Sequence, residues 1–397
     1  MRSRITKIAS IAMALVLALT LMVGCRGQGT PTETLTIYHA GSLTVPFRDL
    51  EAEFESAHPD VDVLCEAGGS NSMISKAITV EEAGENPPDI IASADYTLIP
   101  DRLYEKSYAD WNIVFARNTM VLCYRSNAPG SNAIGKGTRT WYDVLRNDPV
   151  SYGHSNPDED PCGYRTPMVI QLAQKYYYDE SDKFGLTPDP NAKGLYDALI
   201  PGSEHERGRV GGTSETRPGG SKEVVSKKSV DLIVSVQSGD LDYAFEYRSV
   251  AVQHKLNFIE LNGAINLSQT GKIGNTTYED FYKEASIEII KEPGPPPTYK
   301  TKSGKPIVYG ITIIKNAKNK ELATEFIALL LSEEGQNVME VKNGQPCIIP
   351  ALCDKPERLP AGLSSMVHAK EATALTLVSG EKSRELTMSQ IKAMSPL

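Results

Sequence analysis

The sequence predicts an α/β fold, and three observations support that class. Short apolar segments at 34–38, 61–64 and 89–93 alternate with segments whose apolar residues recur at helical spacing, as strands joined by helices do. A long β-rich stretch at 112–124, broken near Arg117, suits a crossing between two lobes. The chain of 397 residues is 40% hydrophobic and 23% charged, which allows about two to three domains and a sizeable core.

The two helices predicted nearest the N-terminus follow turns of small residues. Pro46 stands in the first turn of one helix, where its missing N–H has no intrahelical partner to lose. Ser70 opens the other. Their apolar stripes, at a spacing of three or four residues, are Phe47, Leu50 and Phe54 in the first helix and Ile74, Ala77 and Ile78 in the second.

The later elements are predicted from the same signals. Thr140 and Asp160 each stand where they would cap a following helix, and Pro161 suits a first helical position. Residues 201–222 are rich in Gly, Ser and charged residues without periodicity, which indicates a flexible surface insertion. The remaining predictions are helices at 229–238 and 319–331 and strands at 241–247 and 307–314.

Charge and composition exclude several classes of function. The chain carries 41 Lys and Arg against 50 Asp and Glu, a formal net charge of -9. An acidic chain with few basic clusters is a poor candidate for binding nucleic acid. Bulk charge also repels an anion, so local geometry would have to hold one. Scattered His residues and the lack of a paired-Cys motif argue against a zinc site.

The N-terminus has the features of an export signal. A basic segment containing Arg2 precedes an apolar run at 8–23, which is short for a membrane span. The run ends in a small residue followed by Cys25, as in a lipoprotein cleavage box. We therefore expect a lipoprotein-type signal peptide at 1–24, a lipid on Cys25 and a polar tether at 25–33. A soluble secreted protein and an uncleaved anchor are the alternatives.

Five cysteines follow Cys25, so at least one of them is free or pairs with another molecule. Cys347 and Cys353 are close in sequence, and an oxidising compartment would allow one bridge between them. The sequence leaves this disulfide open.

Three turns of small residues lead into predicted helices. Backbone N–H groups at a helix start favour an anion through hydrogen bonds and the helix dipole, and a Ser adds a hydroxyl donor. Several such helix starts from two lobes would surround a tetrahedral oxyanion without Lys or Arg. Each Ser taken alone is better explained as an ordinary helix cap. The turns are Gly41-Ser42, Gly69-Ser70 and Pro161-Cys162-Gly163.

Asp160 lies beside the third turn, where a carboxylate would ordinarily repel an oxyanion. It is either the cap of its helix, with Pro161 at the first position, or a direct ligand of the central atom of an oxometalate, which can expand its coordination. The spacing favours the cap. Tyr247 ends an aromatic and acidic segment at 241–247. Its hydroxyl is able to donate to a ligand there, but the pattern favours a strand that packs its aromatic rings.

A series of short segments between residues 34 and 350 carries a resemblance to a known family. The segments are 41–43, 67–70, 93–100, 108–111, 115–118, 155–157, 160–165, 239–243 and 306–312. The most specific are Ser-Ala-Asp-Tyr at 93–96 and Asp-Pro-Cys-Gly-Tyr-Arg at 160–165. On these segments the chain resembles the archaeal-type molybdate/tungstate-binding proteins of ABC transporters, a family of periplasmic molybdate-binding proteins.

The resemblance implies a two-lobed type II periplasmic-binding-protein fold, in which each lobe is a mostly parallel sheet flanked by helices. Lobe I is expected at 34–112 plus 317–397, and lobe II at 113–316. The implied function is that of an extracytoplasmic solute-binding protein, not an enzyme. It would capture molybdate or tungstate in the cleft and deliver the oxyanion to the permease and ATPase of an ABC importer.

The resemblance also implies the state and location of the protein. It is expected to be a monomer without a cofactor, exported and held at the outer face of the cell membrane by its N-terminal lipid, or periplasmic. The residues implied to bind the oxyanion are Gly41, Ser42, Ser70, Asp160, Pro161, Cys162, Ser229 and Tyr247, with Asp160 as a direct ligand of the molybdenum or tungsten.

Ser229 marks a departure from the family, which usually has a second metal-ligating Glu at that position. Glu223 and Glu246 lie elsewhere in the sequence and would substitute only with a different local backbone. A tetrahedral anion with Ser229 as a hydroxyl donor is therefore a simpler expectation than a six-coordinate metal. Ser72 is an alternative to Ser70 in the second turn.

Other functions stay open at this point. The missing Glu allows a binding protein for another small oxyanion, such as sulfate. An exported hydrolase would use Cys162, whose place at a helix N-terminus is expected to lower the pKa of its thiol, although no Gly-x-Ser-x-Gly elbow is present. A surface receptor or adhesin would depend on the insertion at 201–222.

Overall fold

The computed structural model describes residues 31–200, 202, 214–216, 219–292 and 294–369. The predicted signal peptide, the lipidation site Cys25 and the first residues of the tether lie outside this part of the chain. So do most of the insertion at 201–222 and the residues after 369.

Strands and helices alternate over most of the described residues. The strands are β1 Glu33–Ala40, β2 Val61–Gly68, β3 Ile90–Ser93, β4 Ile113–Arg117, β5 Met120–Tyr124, β6 Ser151–Ser155, β7 Ser214–Thr216, β8 Lys222–Ser226, β9 Tyr243–Tyr247, β10 Asn257–Glu260, β11 Lys272–Ile273, β12 Thr276–Thr277, β13 Ser286–Glu292, β14 Thr298–Ser303, β15 Val308–Ile313, β16 Cys347–Cys353 and β17 Val367–Ala369. The α-helices are α1 Thr44–Ala57, α2 Ser70–Glu82, α3 Ser131–Gly135, α4 Trp141–Asn147, α5 Pro161–Gln174, α6 Leu195–Leu199, α7 Asp231–Ser238, α8 Arg248–Gln253, α9 Tyr278–Lys283, α10 Lys320–Leu331 and α11 Glu333–Gln336. In this part of the chain, none of the helices combines the length and apolar composition that crossing a membrane requires.

The first sheet has the strand order β17-β16-β4-β15-β3-β1-β2. β1 pairs in parallel with both β2 and β3, and α1 and α2, the helices that connect these strands, pack against them. β15 comes late in the chain but lies antiparallel between β3 and β4. The strands that return to this sheet therefore make it mixed, whereas the sequence predicted a mostly parallel one.

The second sheet has the strand order β10-β5-β9-β6-β8-β7. Its centre is parallel, with β6 between β8 and β9. Towards both edges the pairing becomes antiparallel, at β5 with β9, β10 with β5, and β7 with β8. The predicted two-lobed α/β fold is confirmed, with mixed sheets whose parallel pairing is confined to particular neighbours.

The chain passes from the first sheet to the second between β4 and β5, at residues 118–119. The return crossing runs beside it, because the backbone N–H of Asn118 donates to Ile307 O at 3.2 Å and that of Met120 donates to Asn266 O at 3.0 Å. β4 and β15 both pair in the first sheet, although the predicted boundaries put them in lobe II at 113–316. A sequence pattern indicates a strand but not its partner, which explains the difference.

The apolar stripes predicted for α1 and α2 are buried. The ring of Phe326 on α10 lies 5.9 Å from that of Phe47 and 5.5 Å from that of Phe54, measured between centroids. A helix near the C-terminus thus covers the first helix of the chain. The first lobe is therefore held together by segments from both ends of the described chain.

Part of the predicted surface insertion belongs to the second sheet. β7 lies within 201–222 and pairs antiparallel with β8, which begins at Lys222. The sequence analysis did not predict β8. Its sequence, Lys-Glu-Val-Val-Ser, places two valines side by side, so it lacks the apolar alternation by which strands are recognised.

The described cysteines are all free. On β16, Cys347 stands opposite Ala116 and Cys353 opposite Ile113 of β4. That register separates the two cysteines by about 10 Å along the sheet, whereas a disulfide needs Cα atoms within about 7 Å. The bridge that the sequence left open between them is therefore not formed.

Candidate functional site

The predicted site residues lie where strands of both sheets end. β1 ends at Ala40, directly before Gly41, and β9 ends at Tyr247. β6 ends at Ser155, shortly before Asp160. The carboxyl ends of strands in open α/β sheets form the usual crevice for a ligand, and here two such edges face each other.

Ser42 lies in the turn between β1 and α1 and is buried. Its Oγ is 2.8 Å from the hydroxyl of Tyr309 on β15, and either atom can donate. The Tyr309 hydroxyl also accepts from Asn118 Nδ2 at 2.9 Å. Tyr309 can therefore donate its own proton to Ser42, and the proton of Ser42 is then available to a ligand.

Ser70 is the first residue of α2 and is 1% exposed. Its Oγ accepts from the backbone N–H of Ala94 at 3.0 Å, just beyond β3. This bond uses the oxygen of Ser70 and leaves its hydroxyl proton to donate. The first-turn N–H groups of α2 also lack partners within the helix, so this helix start presents several donors together.

Asp160 caps α5, as the spacing predicted. Its Oδ1 accepts from Cys162 N at 3.0 Å, with Pro161 at the first helical position. Its Oδ2 accepts from Ser229 N at 2.8 Å. Burial raises the pKa of Asp160, although these two N–H groups oppose the shift. The N–H of Cys162 is thus already engaged by Asp160, so this turn does not present to an anion the free N–H that its sequence predicted.

Glu246 is a second buried carboxyl in the same place. Its Oε1 accepts from Ser229 Oγ at 3.1 Å and from Tyr247 N at 2.7 Å. Its Oε2 is buried and has no hydrogen-bond partner among the described residues. Burial raises the pKa of Glu246 to about 8, and the charge of Asp160 adds to this rise. The carboxyl is therefore mostly protonated at neutral pH and can donate through its free oxygen.

The departure at Ser229 has a structural counterpart. Ser229 has no carboxyl group of its own, but its hydroxyl donates to the carboxyl group of Glu246. Its backbone N–H donates to the carboxyl group of Asp160. Glu246 therefore brings a carboxyl to this position from the neighbouring strand β9. Ser229 is also a donor to the protein's own carboxyl in this structure, rather than a free hydroxyl.

Tyr247 is joined to both lobes through Arg165 of α5. Arg165 Nη1 donates to the hydroxyl of Tyr247 and, at 2.9 Å, to the carbonyl of Ala94. Tyr247 is buried, and its ring lies 6.2 Å from that of Tyr309 between centroids. The aromatic end of β9 is thus next to the network that holds Ser42.

The two lobes are in close contact around the site. A Cβ on Gly69 would lie 2.2 Å from Glu159 O, so only glycine permits this approach of the two backbones. Next to it, Asn71 Nδ2 donates to Asp158 O at 3.1 Å. A Cβ on Gly41 would meet Val230, the neighbour of Ser229, at 3.2 Å. The structure is therefore a closed form of the cleft.

The structure brings all the predicted site residues together. Ser42, Tyr309 and Tyr247 are neighbours, Tyr247 is linked through Arg165 and Ala94 to Ser70, and Glu246 is linked through Ser229 to Asp160. Gly41 and Pro161 adjoin Ser42 and Asp160 in the chain, and Cys162 Sγ is 3.8 Å from Glu246 Oε1.

Sequence reasoning missed three side chains of this cluster as site residues. Arg165 and Tyr309 lie inside segments that carried the family resemblance, but nothing in those patterns showed that the two side chains face the cleft. Glu246 was considered only as a doubtful replacement at position 229. Its adjacency to Tyr247 was the available signal, but successive residues of a strand ordinarily point to opposite faces, so that signal did not place Glu246 in the cluster.

The expectation of a lowered pKa for Cys162 is wrong. Burial raises the pKa of this thiol well above its ordinary value, and the nearby charges of Glu246 and Asp160 add to the effect. The helix N-terminus does not compensate, because Asp160 already occupies the Cys162 N–H. A buried thiol that stays protonated is a poor nucleophile.

The sequence is similar to those of known solute-binding proteins. The model of a family described as bacterial extracellular solute-binding protein matches residues 35–344. An uncharacterized solute-binding protein of Methanoculleus marisnigri is 38% identical over 388 residues, covering 92% of this chain and 99% of that protein. The molybdate/tungstate-binding protein WtpA of Pyrococcus abyssi is 36% identical over 383 residues, covering 92% of this chain and 98% of that protein. The solved structure of the Azotobacter vinelandii periplasmic molybdate-binding protein is 15% identical with a TM-score of 0.48, covering 78% of this chain and 98% of that one.

Glu246→Gln should change how stability depends on pH. The folded-state pKa of Glu246 is raised from 4.5 to about 8, so its protonated form contributes stability that is full below about pH 4.5 and is lost as the pH rises through about 8. Gln does not titrate and can still accept from Ser229 and Tyr247. Denaturant unfolding should therefore show the wild type losing stability against the variant from pH 5 to 8, by on the order of a few kcal/mol.

Glu85→Gln, on the exposed surface, is the control for a change of one carboxylate elsewhere. A stability difference between wild type and Glu246→Gln that stays constant from pH 5 to 8 would contradict the buried protonated carboxyl.

Proposed function

The chain belongs to the bacterial extracellular solute-binding proteins, and from this membership we propose that it captures molybdate or tungstate in the cleft between its lobes and hands the oxyanion to the permease of an ABC importer. The names of similar proteins, such as the molybdate/tungstate-binding protein WtpA of Pyrococcus abyssi, support that ligand class. Family membership points to a binding role rather than catalysis.

One observation from the structure carries the proposal. Hydroxyl and backbone donors from both lobes converge on a buried, closed cluster, in which each hydroxyl that accepts a protein hydrogen bond keeps its proton for another acceptor. Ser42, Ser70 and Tyr247 all have this arrangement. Neutral hydroxyl and amide donors suit an oxyanion, whose oxygens only accept. The protonated carboxyl of Glu246 adds a donor of the same kind.

Discrimination between oxyanions would follow from size and proton content. The larger molybdate and tungstate fill a cleft that sulfate would fill loosely. Phosphate carries a proton that needs an acceptor, and the free Glu246 Oε2 is mostly a donor at neutral pH. Asp160 is proposed as a direct ligand of the metal, which sulfur and phosphorus centres cannot match. Its two hydrogen bonds to backbone N–H groups hold the carboxylate in place for that role.

The remaining features of the proposal concern location and partners. We propose that the protein is exported by its N-terminal signal, lipidated at Cys25 and held as a monomer at the outer face of the membrane, with a permease and an ATPase as partners. Mass spectrometry of the N-terminal peptide tests the anchor: a diacylglyceryl group on Cys25 is expected, and an unmodified peptide that begins at another residue would contradict it.

Calorimetry of the purified protein tests the ligand. Tungstate, molybdate, sulfate and phosphate are titrated in turn, and tight binding of the first two with little heat from the others is expected. Equally tight sulfate binding would replace the proposal by that of a general oxyanion carrier. No heat from any of the four would overturn it.

Ser42→Ala should weaken tungstate binding because it removes a hydroxyl donor and the contact with Tyr309. A lost buried hydrogen bond is worth about 1 kcal/mol or more, which corresponds to an increase in Kd of about fivefold or more. Ser131→Ala is a matched control, since Ser131 is also buried and its Oγ donates to Ala128 O at 2.7 Å in α3. Wild-type affinity of the Ser42 variant in calorimetry would contradict its assignment.

Gly69→Ala should prevent full closure, because its Cβ would overlap the carbonyl of Glu159. The radius of gyration from X-ray scattering in saturating tungstate should stay larger than that of the wild type, and Kd should rise at least tenfold. Gly135→Ala, where a Cβ meets nothing within 4 Å, is the control. Normal compaction and affinity in the Gly69 variant would show that the lobes bind the anion without this contact.

A further inference from the structure

Among the residues that the structure describes, Arg165 is the largest fully buried side chain, at 2% exposure. It extends from α5 of the second lobe to the end of β3 in the first, where its Nη1 donates to Ala94 O, and the same nitrogen donates to the Tyr247 hydroxyl. Nη2 is buried and has no hydrogen-bond partner among the described residues. Such an orphaned donor is costly in a protein interior and indicates a partner that the protein itself does not supply.

The charge of Arg165 is also without a direct counter-ion in the described residues, since both of its hydrogen-bond acceptors are uncharged. The nearby carboxylate of Asp95 is already engaged by Lys305 Nζ at 2.9 Å, by Lys302 Nζ at 3.4 Å and by the Tyr164 hydroxyl at 2.6 Å. Burial opposes ionisation of Asp95, but the charges of Lys305, Lys302 and Arg165 outweigh it and hold its pKa well below its usual range. Asp95 is thus engaged by other donors, and Arg165 acts on Asp95 and on Asp160 through its charge alone, without a hydrogen bond to either carboxyl among the described residues.

The bond from Arg165 determines what the Tyr247 hydroxyl can do. A guanidinium has no lone pair to accept with, so Tyr247 must be the acceptor in that contact. Burial raises the pKa of Tyr247 well above its ordinary value, so the phenol keeps its proton. That proton is the only donor left on the group, and it points away from Arg165.

We propose that Arg165 is the positioning residue of the oxyanion site: it orients the Tyr247 hydroxyl as a donor to the bound dianion and supplies the buried positive charge that offsets the ligand. This inference rests on the proposed function. The donors that the sequence analysis considered were neutral hydroxyl and amide groups, so a fixed cation behind Tyr247 changes the electrostatic account of the site.

The same side chain links binding to closure. Its two acceptors lie on opposite lobes, Ala94 in the first and Tyr247 in the second. Separating the lobes removes Ala94 from Nη1, so the arrangement that fixes Tyr247 is complete only in the closed form. Lys cannot reproduce it, because an ammonium lacks the planar fork that reaches two fixed acceptors while holding a second nitrogen beside them.

A double-mutant cycle tests the proposal. Tungstate affinity is measured by calorimetry for the wild type, Arg165→Lys, Tyr247→Phe and the double variant, with circular dichroism to establish folding. Arg165→Lys should raise Kd at least tenfold in the wild-type background but less than threefold when Tyr247 is Phe, because the hydroxyl that Arg165 orients is then absent. An affinity of Arg165→Lys within threefold of the wild type, or equal losses in both backgrounds, would overturn the positioning role.

Lys302→Met is the matched control. Lys302 is another buried cation of the same cluster, and Asp95 keeps Lys305 and Tyr164 as partners when it is replaced. Its effect on Kd should be the same with Tyr or Phe at position 247. A coupling as large as that of Arg165 would mean that general loss of buried charge, rather than orientation of Tyr247, explains the result.

A measurement on the unchanged protein covers the case in which Arg165→Lys does not fold. Tyrosines are labelled with ¹³C at the hydroxyl-bearing carbon, and the Tyr247 signal is assigned by its loss in Tyr247→Phe. Tungstate should shift this signal and leave that of Tyr152, whose hydroxyl donates to Leu199 O, in place. A Tyr247 signal that does not respond to bound tungstate would overturn the proposal. Failure of the wild type to bind tungstate at all would instead overturn the proposed function, so the two outcomes are distinct.

Discussion

The site depends on how two buried carboxyl groups are compensated without a cation in hydrogen-bond contact. Moving an unpaired carboxylate into a protein interior is expensive, and the group either finds donors or takes up a proton. Asp160 follows the first route, with two backbone N–H groups at hydrogen-bond distance. Glu246 follows the second, with a pKa raised to about 8. Hydrogen bonds to these two carboxyl groups hold Cys162, Ser229 and Tyr247 in position.

Because the two carboxyl groups are compensated within the protein, the cluster presents mainly hydrogen-bond donors, which suit a ligand that only accepts. Ser229 and Cys162 spend their N–H groups on Asp160, so the donors that we propose for the ligand are the hydroxyls of Ser42, Ser70 and Tyr247, the helix start of α2 and the protonated carboxyl of Glu246. These come from both lobes, which means that the full set exists only when the lobes are in contact. The glycine at position 69 is what allows the backbones to approach so closely. On the proposed function, recognition of the oxyanion and closure of the lobes are therefore one event.

The sequence predicted the local parts of this site well and its long-range parts poorly. The cap and the proline at the start of α5 are local signals, and both predictions are confirmed. β15 lies between β3 and β4 because of pairing across the fold, and no spacing in the chain reveals it. Likewise, Glu246 reaches Ser229 only because β9 and the segment before α7 are neighbours in space. The prediction of a lowered pKa for the Cys162 thiol failed for a related reason, because burial of that thiol depends on the whole fold.

The net charge of the chain is a poor guide to its ligand. Charges separated by more than a Debye length of about 8 Å contribute little across solvent at physiological salt, so the acidic surface does not determine the potential in a buried cleft. There the nearby groups dominate, because screening by water and ions is absent. Arg165 is fixed between the lobes with an unused nitrogen, while Lys302 and Lys305 neutralise the carboxylate that would otherwise pair with it. An acidic protein can therefore present a positive interior to an anion, provided that its lysines hold the competing aspartate in place.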